Sequence, residues 1–166
     1  MEPFEVQMAD KDIDQKEQET AMERKIDEYS YHLGAADCFC EMVRAGVKKI
    51  ALSHPCDTKE LRDSFLLDFD RLCDKYSVRY YVEDATIITD LFPASANKDK
   101  FQVIFYREEQ DLNAYLALKD EKEKALKEGR YEMVRTEIAR AWGRLLSYPE
   151  EGIERLIKNN TEKEQF

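Results

Sequence analysis

Histidine, glycine and long apolar runs are all scarce in this chain. It holds 2 His and 5 Gly in 166 residues. Five glycines leave little room for a phosphate-cradling loop, and neither a P-loop nor a G-x-G-x-x-G string occurs. No apolar run approaches the ~20 residues that cross a bilayer. Basic charge is in deficit, 26 Lys+Arg against 36 Asp+Glu, for a net of −10. Sequence-independent binding of nucleic acid needs a positive field that displaces counterions, so no nucleic-acid partner is expected. Anionic lipid is excluded on the same ground, so no membrane partner is expected. The four cysteines, Cys38, Cys40, Cys56 and Cys73, include no C-x₂-C pair, which removes the usual zinc spacing. Cys38 and Cys40, two apart on a helix, point to nearly opposite sides and cannot share an ion there. No cofactor is expected. With an acidic, polar start in place of a secretory signal, the expectation is reduced thiols and a cytoplasmic protein.

What is present divides into three parts. Residues 1–28 carry ten Asp/Glu against four Lys/Arg, a net of −6, with few apolar side chains. Such a segment can hardly offset its own ordering entropy, so it is read as an acidic, flexible arm, or as an arm that docks on a partner. Residues 29–158 form one globular domain, and 159–166 a frayed tail.

Within the domain, Tyr29, Leu33, Ala36, Cys40 and Val43 recur at helical spacing, and Gly46 fits the left-handed position after the last turn. The run 47–53 with its Ile-Ala-Leu centre reads as a strand buried on both faces. A capping-box-like start at Asp57 opens a helix to about Tyr76, with Leu61, Phe65, Phe69 and Leu72 on one face. Val78 to Val82 is the next strand. Strand, helix, strand at this spacing predicts a parallel βαβ unit. Residues 86–92 and 101–106 are β-rich and predict an antiparallel hairpin with a long loop; 78–82 and 86–92 are two strands or one bent strand. The remainder is helical: 109–128 with a charge run at 119–128 read as a solvated face, 131–146, and a last helix with Pro149 at its first position. The fold class is therefore α/β or α+β, a small mixed sheet packed by helices with a C-terminal helical section.

The turn after the first strand concentrates chemistry. Ser53, His54, Cys56 and Asp57 lie where ligands bind in open parallel sheets, beyond the carboxyl ends of strands. Glu83 and Asp84 end the second strand and are expected at the same rim. In this arrangement His54 is a general base or metal ligand, Cys56 a nucleophile or a bystander, Glu83 a further catalytic candidate, and Asp57, Glu83 or Asp84 a second metal ligand. Ser53, Asp84 and Asp90 are the binding candidates. The plain alternative is that Asp57 caps a helix, Pro55 shapes a turn and His54 is merely polar. Two functions follow. One is a cytoplasmic domain that binds a small molecule or a protein partner without a catalytic set, with a homodimer as the default symmetric solution for an uncovered sheet edge. The other is a small hydrolase or transferase at the Ser53–Asp57 turn and the Glu83–Asp84 rim.

The string Trp142-Gly143-Arg144-Leu145-Leu146-Ser147-Tyr148-Pro149-Glu150-Glu151 reads as a helix, a tight corner and a helix, with Gly143 allowing close approach of another element. It resembles uncharacterised prokaryotic proteins that end in a Gly-Arg-Leu-Leu-Gly-Tyr-Pro-type motif. In many of those, two cysteines follow the proline; here Glu150 and Glu151 stand instead, and Ser147 replaces the glycine. The resemblance covers the last quarter of the chain, implies a bacterial or archaeal origin, and transfers no activity and no site residue.

Overall fold

The computed structural model describes residues 24–166. The reading of the acidic arm falls almost wholly on residues outside that range. Where the description begins, Asp27 accepts a hydrogen bond from Ser30 N at 3.0 Å and caps helix α1, Glu28–Arg44. Gly46 follows with φ +76, the left-handed conformation a glycine accepts without strain. Strand β1 is short, Ile50–Leu52. Helices α2, Lys59–Asp63, and α3, Leu66–Tyr76, then stand where one helix was expected, broken at Ser64 and Phe65. Strand β2 is Arg79–Glu83 and strand β3 is Gln102–Tyr106. Helices α4, Glu109–Lys127, α5, Tyr131–Leu145, and α6, Glu150–Asn159, complete the described chain.

The sheet has three strands in the order β1-β3-β2, and every pairing is antiparallel. The molecule is therefore α+β. The expected parallel βαβ unit does not form, because β3 inserts between β1 and β2. Burial explains the order. All five residues of β3 are buried, so it takes the centre, whereas β2 exposes Arg79, Tyr81 and Val82 and takes an edge.

The alternation along β3 builds a three-layer sandwich. Val103 and Phe105, with Ala51 of β1, face Ala36, Cys40 and Val43 of α1 and Phe69 and Cys73 of α3. Ile104 and Tyr106, with Ile50, face the other way onto Leu112, Tyr115, Ile138, Trp142 and Ile153 of α4, α5 and α6.

Residues 86–92 form no strand. Their backbone is satisfied by side chains instead of a neighbouring strand: Ile87 N donates to Tyr115 Oη, Leu91 N to Thr89 Oγ1, and Lys122 Nζ to the Ile88 carbonyl. The hairpin partner of β3 is β2, with Arg79 opposite Tyr106 and Glu83 opposite Gln102. The segment expected to fray has no regular secondary structure after Asn160, yet it is docked. Asn160 Nδ2 donates to the carbonyls of Asp90 and Phe92, Ser95 N donates to Glu162, and Lys122 pairs with Glu164.

Candidate functional site

The Ser53–Asp57 turn leaves β1 on the α1/α3 side of the sheet. Ser53 prolongs the ladder: its N–H donates to the Val103 carbonyl at 3.0 Å, and its hydroxyl accepts from Val103 N at 2.9 Å. Gln102 Nε2 holds the Ser53 carbonyl at 2.9 Å. Cys56 then pairs with Phe101 through two backbone hydrogen bonds of 2.9 Å. Thr58, not Asp57, caps α2, its hydroxyl accepting from Leu61 N at 3.1 Å. Asp57 instead forms an exposed ion pair with Lys100, which holds its carboxyl below the usual range.

These bonds create a narrow crevice lined by Ser53, His54, Cys56, His32, Arg62 and Phe65, with no room for a water molecule inside. The chain's two histidines meet here. The His32 and His54 rings stack with centroids 3.5 Å apart and planes within 14°. Burial, and secondarily the facing His32, hold the His54 pKa below its ordinary 6.5. Burial pushes the Cys56 thiol up, so its proton stays on sulfur at neutral pH. That thiol lies 3.6 Å from the His54 backbone carbonyl. Cys56 and His54 are thus neighbours in one crevice without a hydrogen bond from thiol to imidazole.

Arg62 carries no role in the sequence reading, and it organises this end of the sheet. It is 4 % exposed. One guanidinium nitrogen reaches the Glu83 carbonyl, the Gln102 carbonyl and Asp84 Oδ1, all at 3.1 to 3.3 Å, and Nε donates to Asp63. It ties α2 across the ends of β2 and β3. The signal was present: Arg62 falls on the same helical face as Phe65, Phe69 and Cys73, at spacings of three, seven and eleven.

Glu83 and Asp84 do not act as one rim. Asp84 stays beside the crevice, half-exposed, paired with Arg62 and with Lys59 at 2.6 Å. Glu83 points to the opposite side of the sheet. Its carboxylate accepts from Tyr115 Oη at 2.8 Å, from Lys119 Nζ at 2.9 Å on both oxygens, and from Ala85 N at 2.8 Å. Burial and the adjacent carboxylate push the Tyr115 phenol well up. Asp90 lies in that same layer, 1 % exposed, gripped by Arg135 through two hydrogen bonds of 2.8 and 2.9 Å. The charge run is likewise not all solvated, since Lys122 is buried and Lys119 reaches inward. Of the seven candidates, Ser53, His54 and Cys56 line the crevice, Asp57 and Asp84 stand outside it in solvent-facing ion pairs, and Glu83 and Asp90 are buried in ion pairs on the far layer.

Among the described residues, no three His, Cys, Asp or Glu side chains cluster so as to hold a metal ion. Among the same residues, no helix is long and apolar enough to cross a membrane. No family model, no curated protein and no solved structure matches the chain.

Proposed function

We propose that this chain is a protein-interaction domain whose immediate partner is a second copy of itself, joined along the outer edge of β2. The carrying observation is that edge. Among the described residues β2 pairs only with β3, and Tyr81 and Val82 stand 36 % and 40 % exposed on it. A free five-residue strand edge offers unsatisfied backbone donors and acceptors to an added strand. Charge favours self-pairing. Antiparallel pairing about Tyr81 brings the half-exposed Arg79 of one copy to the end of the strand where the half-exposed Asp84 of its partner lies. The four free cysteines support a reducing, cytoplasmic setting. Sedimentation equilibrium tests the reading. Wild type is expected as a dimer at micromolar concentration, and the Tyr81→Lys, Val82→Lys double variant as a folded monomer. A wild-type monomer, or a dimer untouched by the double variant, overturns it.

The second reading is a small hydrolase or transferase at the Ser53–Asp57 turn. The stacking of both histidines beside Cys56 favours it. Hydrolysis of an activated ester, abolished by His54→Ala and by Cys56→Ser with the fold retained, supports it. Under the interaction reading the same variants leave dimerisation unchanged.

A further inference from the structure

Cys40 of α1 and Cys73 of α3 meet inside the core layer that also contains Val43, Phe69, Val78 and Phe105. Both are free thiols, and each lies near enough to shift the other's ionisation. The Asp37–Lys75 ion pair, 2.8 Å long, clamps the same two helices close by. The two sulfurs differ in access. Cys40 is fully buried, whereas Cys73 is 8 % exposed and lines a surface depression of about 540 Å³ walled by Asp70, Asp74, Arg79 and Tyr80.

We propose that Cys40 and Cys73 are an oxidisable dithiol that a small hydroperoxide converts to a disulfide between α1 and α3. Cys73 is the outer, attacking sulfur. Its thiolate attacks one peroxide oxygen, the O–O bond breaks, and hydroxide leaves to become water, giving a sulfenic acid on Cys73. The Cys40 sulfur then attacks the Cys73 sulfur. The S–S bond forms, the S–O bond breaks, and the hydroxyl departs with the Cys40 proton as a second water. Two thiols lose two electrons and the peroxide gains them.

Access assigns these roles, because Cys73 lines the depression and Cys40 does not. The mutual influence of the two thiols agrees, lowering the Cys73 pKa and raising that of Cys40, while burial, Asp70 and Asp74 oppose the lowering at Cys73. Asp70 and Asp74 also select the oxidant. Two carboxylates against the single guanidinium of Arg79 disfavour an anionic disulfide such as oxidised glutathione and leave a neutral hydroperoxide free to enter.

The test uses the full chain, stoichiometric hydrogen peroxide, intact mass and a non-reducing peptide map. Wild type is expected to lose two hydrogens, to yield a Cys40–Cys73 linked peptide, and to recover on adding dithiothreitol. Cys73→Ser abolishes the loss. Cys40→Ser halts the reaction at a Cys73 sulfenic acid that dimedone traps. Cys38→Ser removes an exposed thiol and forms the same bridge, so the proposal stays decidable if the core variants fail to fold. Oxidation confined to Cys38, any other pairing, or a wild type with Cys40 and Cys73 both still alkylatable after denaturation overturns it. Faster bridging by oxidised glutathione than by peroxide at equal concentration overturns the choice of oxidant.

Discussion

The imidazoles of His32 and His54 lie face to face, 3.5 Å between centroids, joining the first turns of α1 to the end of β1. Neutral rings can stack in this way; two imidazolium rings at that separation repel.

The pH dependence follows from the His54 shift. Burial first, then His32, lowers its pKa in the fold; Lys100 adds to the lowering, while Asp57 and Glu28 oppose it. The unfolded chain therefore takes up this proton more readily than the folded one. Stability from this group is complete above its ordinary pKa of 6.5 and is lost as pH falls from there through the folded value. Between about pH 7 and about pH 5, wild type should lose more stability in urea titrations than His54→Gln. Parallel losses in the two proteins would show that His54 does not titrate with folding.

Glu83 provides a second test, because the arrangement gives it a structural task. Its carboxylate is 3 % exposed and answers Tyr115, Lys119 and the Ala85 amide together. Glu83→Ala leaves Lys119 and Tyr115 facing a vacated site and should cost about 3 kcal/mol, with Glu83→Gln milder. Adding Lys119→Met to Glu83→Ala should restore part of the loss, since the unpaired charge is then gone. Chemical denaturation measures all three; a Glu83→Ala cost within about 0.5 kcal/mol of zero would remove the buried pair from the account of stability.

What the sequence disclosed, and what it hid, divides along the same physical line. Local signals survived: the 3.6-residue period of Tyr29, Leu33, Ala36, Cys40 and Val43 became α1, and Gly46 took its left-handed position. Strand order is non-local. Nothing between residues 47 and 82 reveals that β3, which begins only at Gln102, enters between β1 and β2. The β-rich run 86–92 misled because its backbone is capped by side chains of Tyr115, Lys122 and Asn160, none of which a strand pattern contains. The candidate site was half legible. The turn chemistry of Ser53, His54 and Cys56 was visible, whereas the meeting of His32 with His54 and the reach of Arg62 required the packing of α1 and α2 on the sheet.

Ser147 is a serine in a glycine's conformation, φ +66, at the corner between α5 and α6. Left-handed backbone costs a non-glycine residue about 1 kcal/mol. Its hydroxyl accepts from Lys49 N at 3.0 Å, which offsets part of that cost. Ser147→Ala loses the hydrogen bond and keeps the strain, while Ser147→Gly loses the hydrogen bond and sheds the strain. Ser147→Gly should therefore exceed Ser147→Ala in stability by about 1 kcal/mol, read from thermal or urea midpoints. The reverse order would place the backbone strain elsewhere.

Gly143 sets how closely α5 and α6 approach. A Cβ built there would lie 2.6 Å from Ile153 Cγ1 and 2.9 Å from its Cδ1. Ile153 is fully buried, so its side chain cannot swing into solvent to relieve the overlap. Alanine is the better helix former by about 1 kcal/mol, and overpacking of a closed core costs about 1–3 kcal/mol, so Gly143→Ala should be net destabilising. The decisive measurement is a double-mutant cycle. Ile153→Ala alone should cost about 2–5 kcal/mol through the cavity it opens. In the Gly143→Ala background the added methyl enters that cavity, and the same substitution should cost less. Additive losses would mean that the two helices shift apart to admit the methyl. In that case the Arg144–Glu150 bridge at 2.6 Å and the left-handed corner at Ser147, not the Gly143–Ile153 contact, hold α6 against α5.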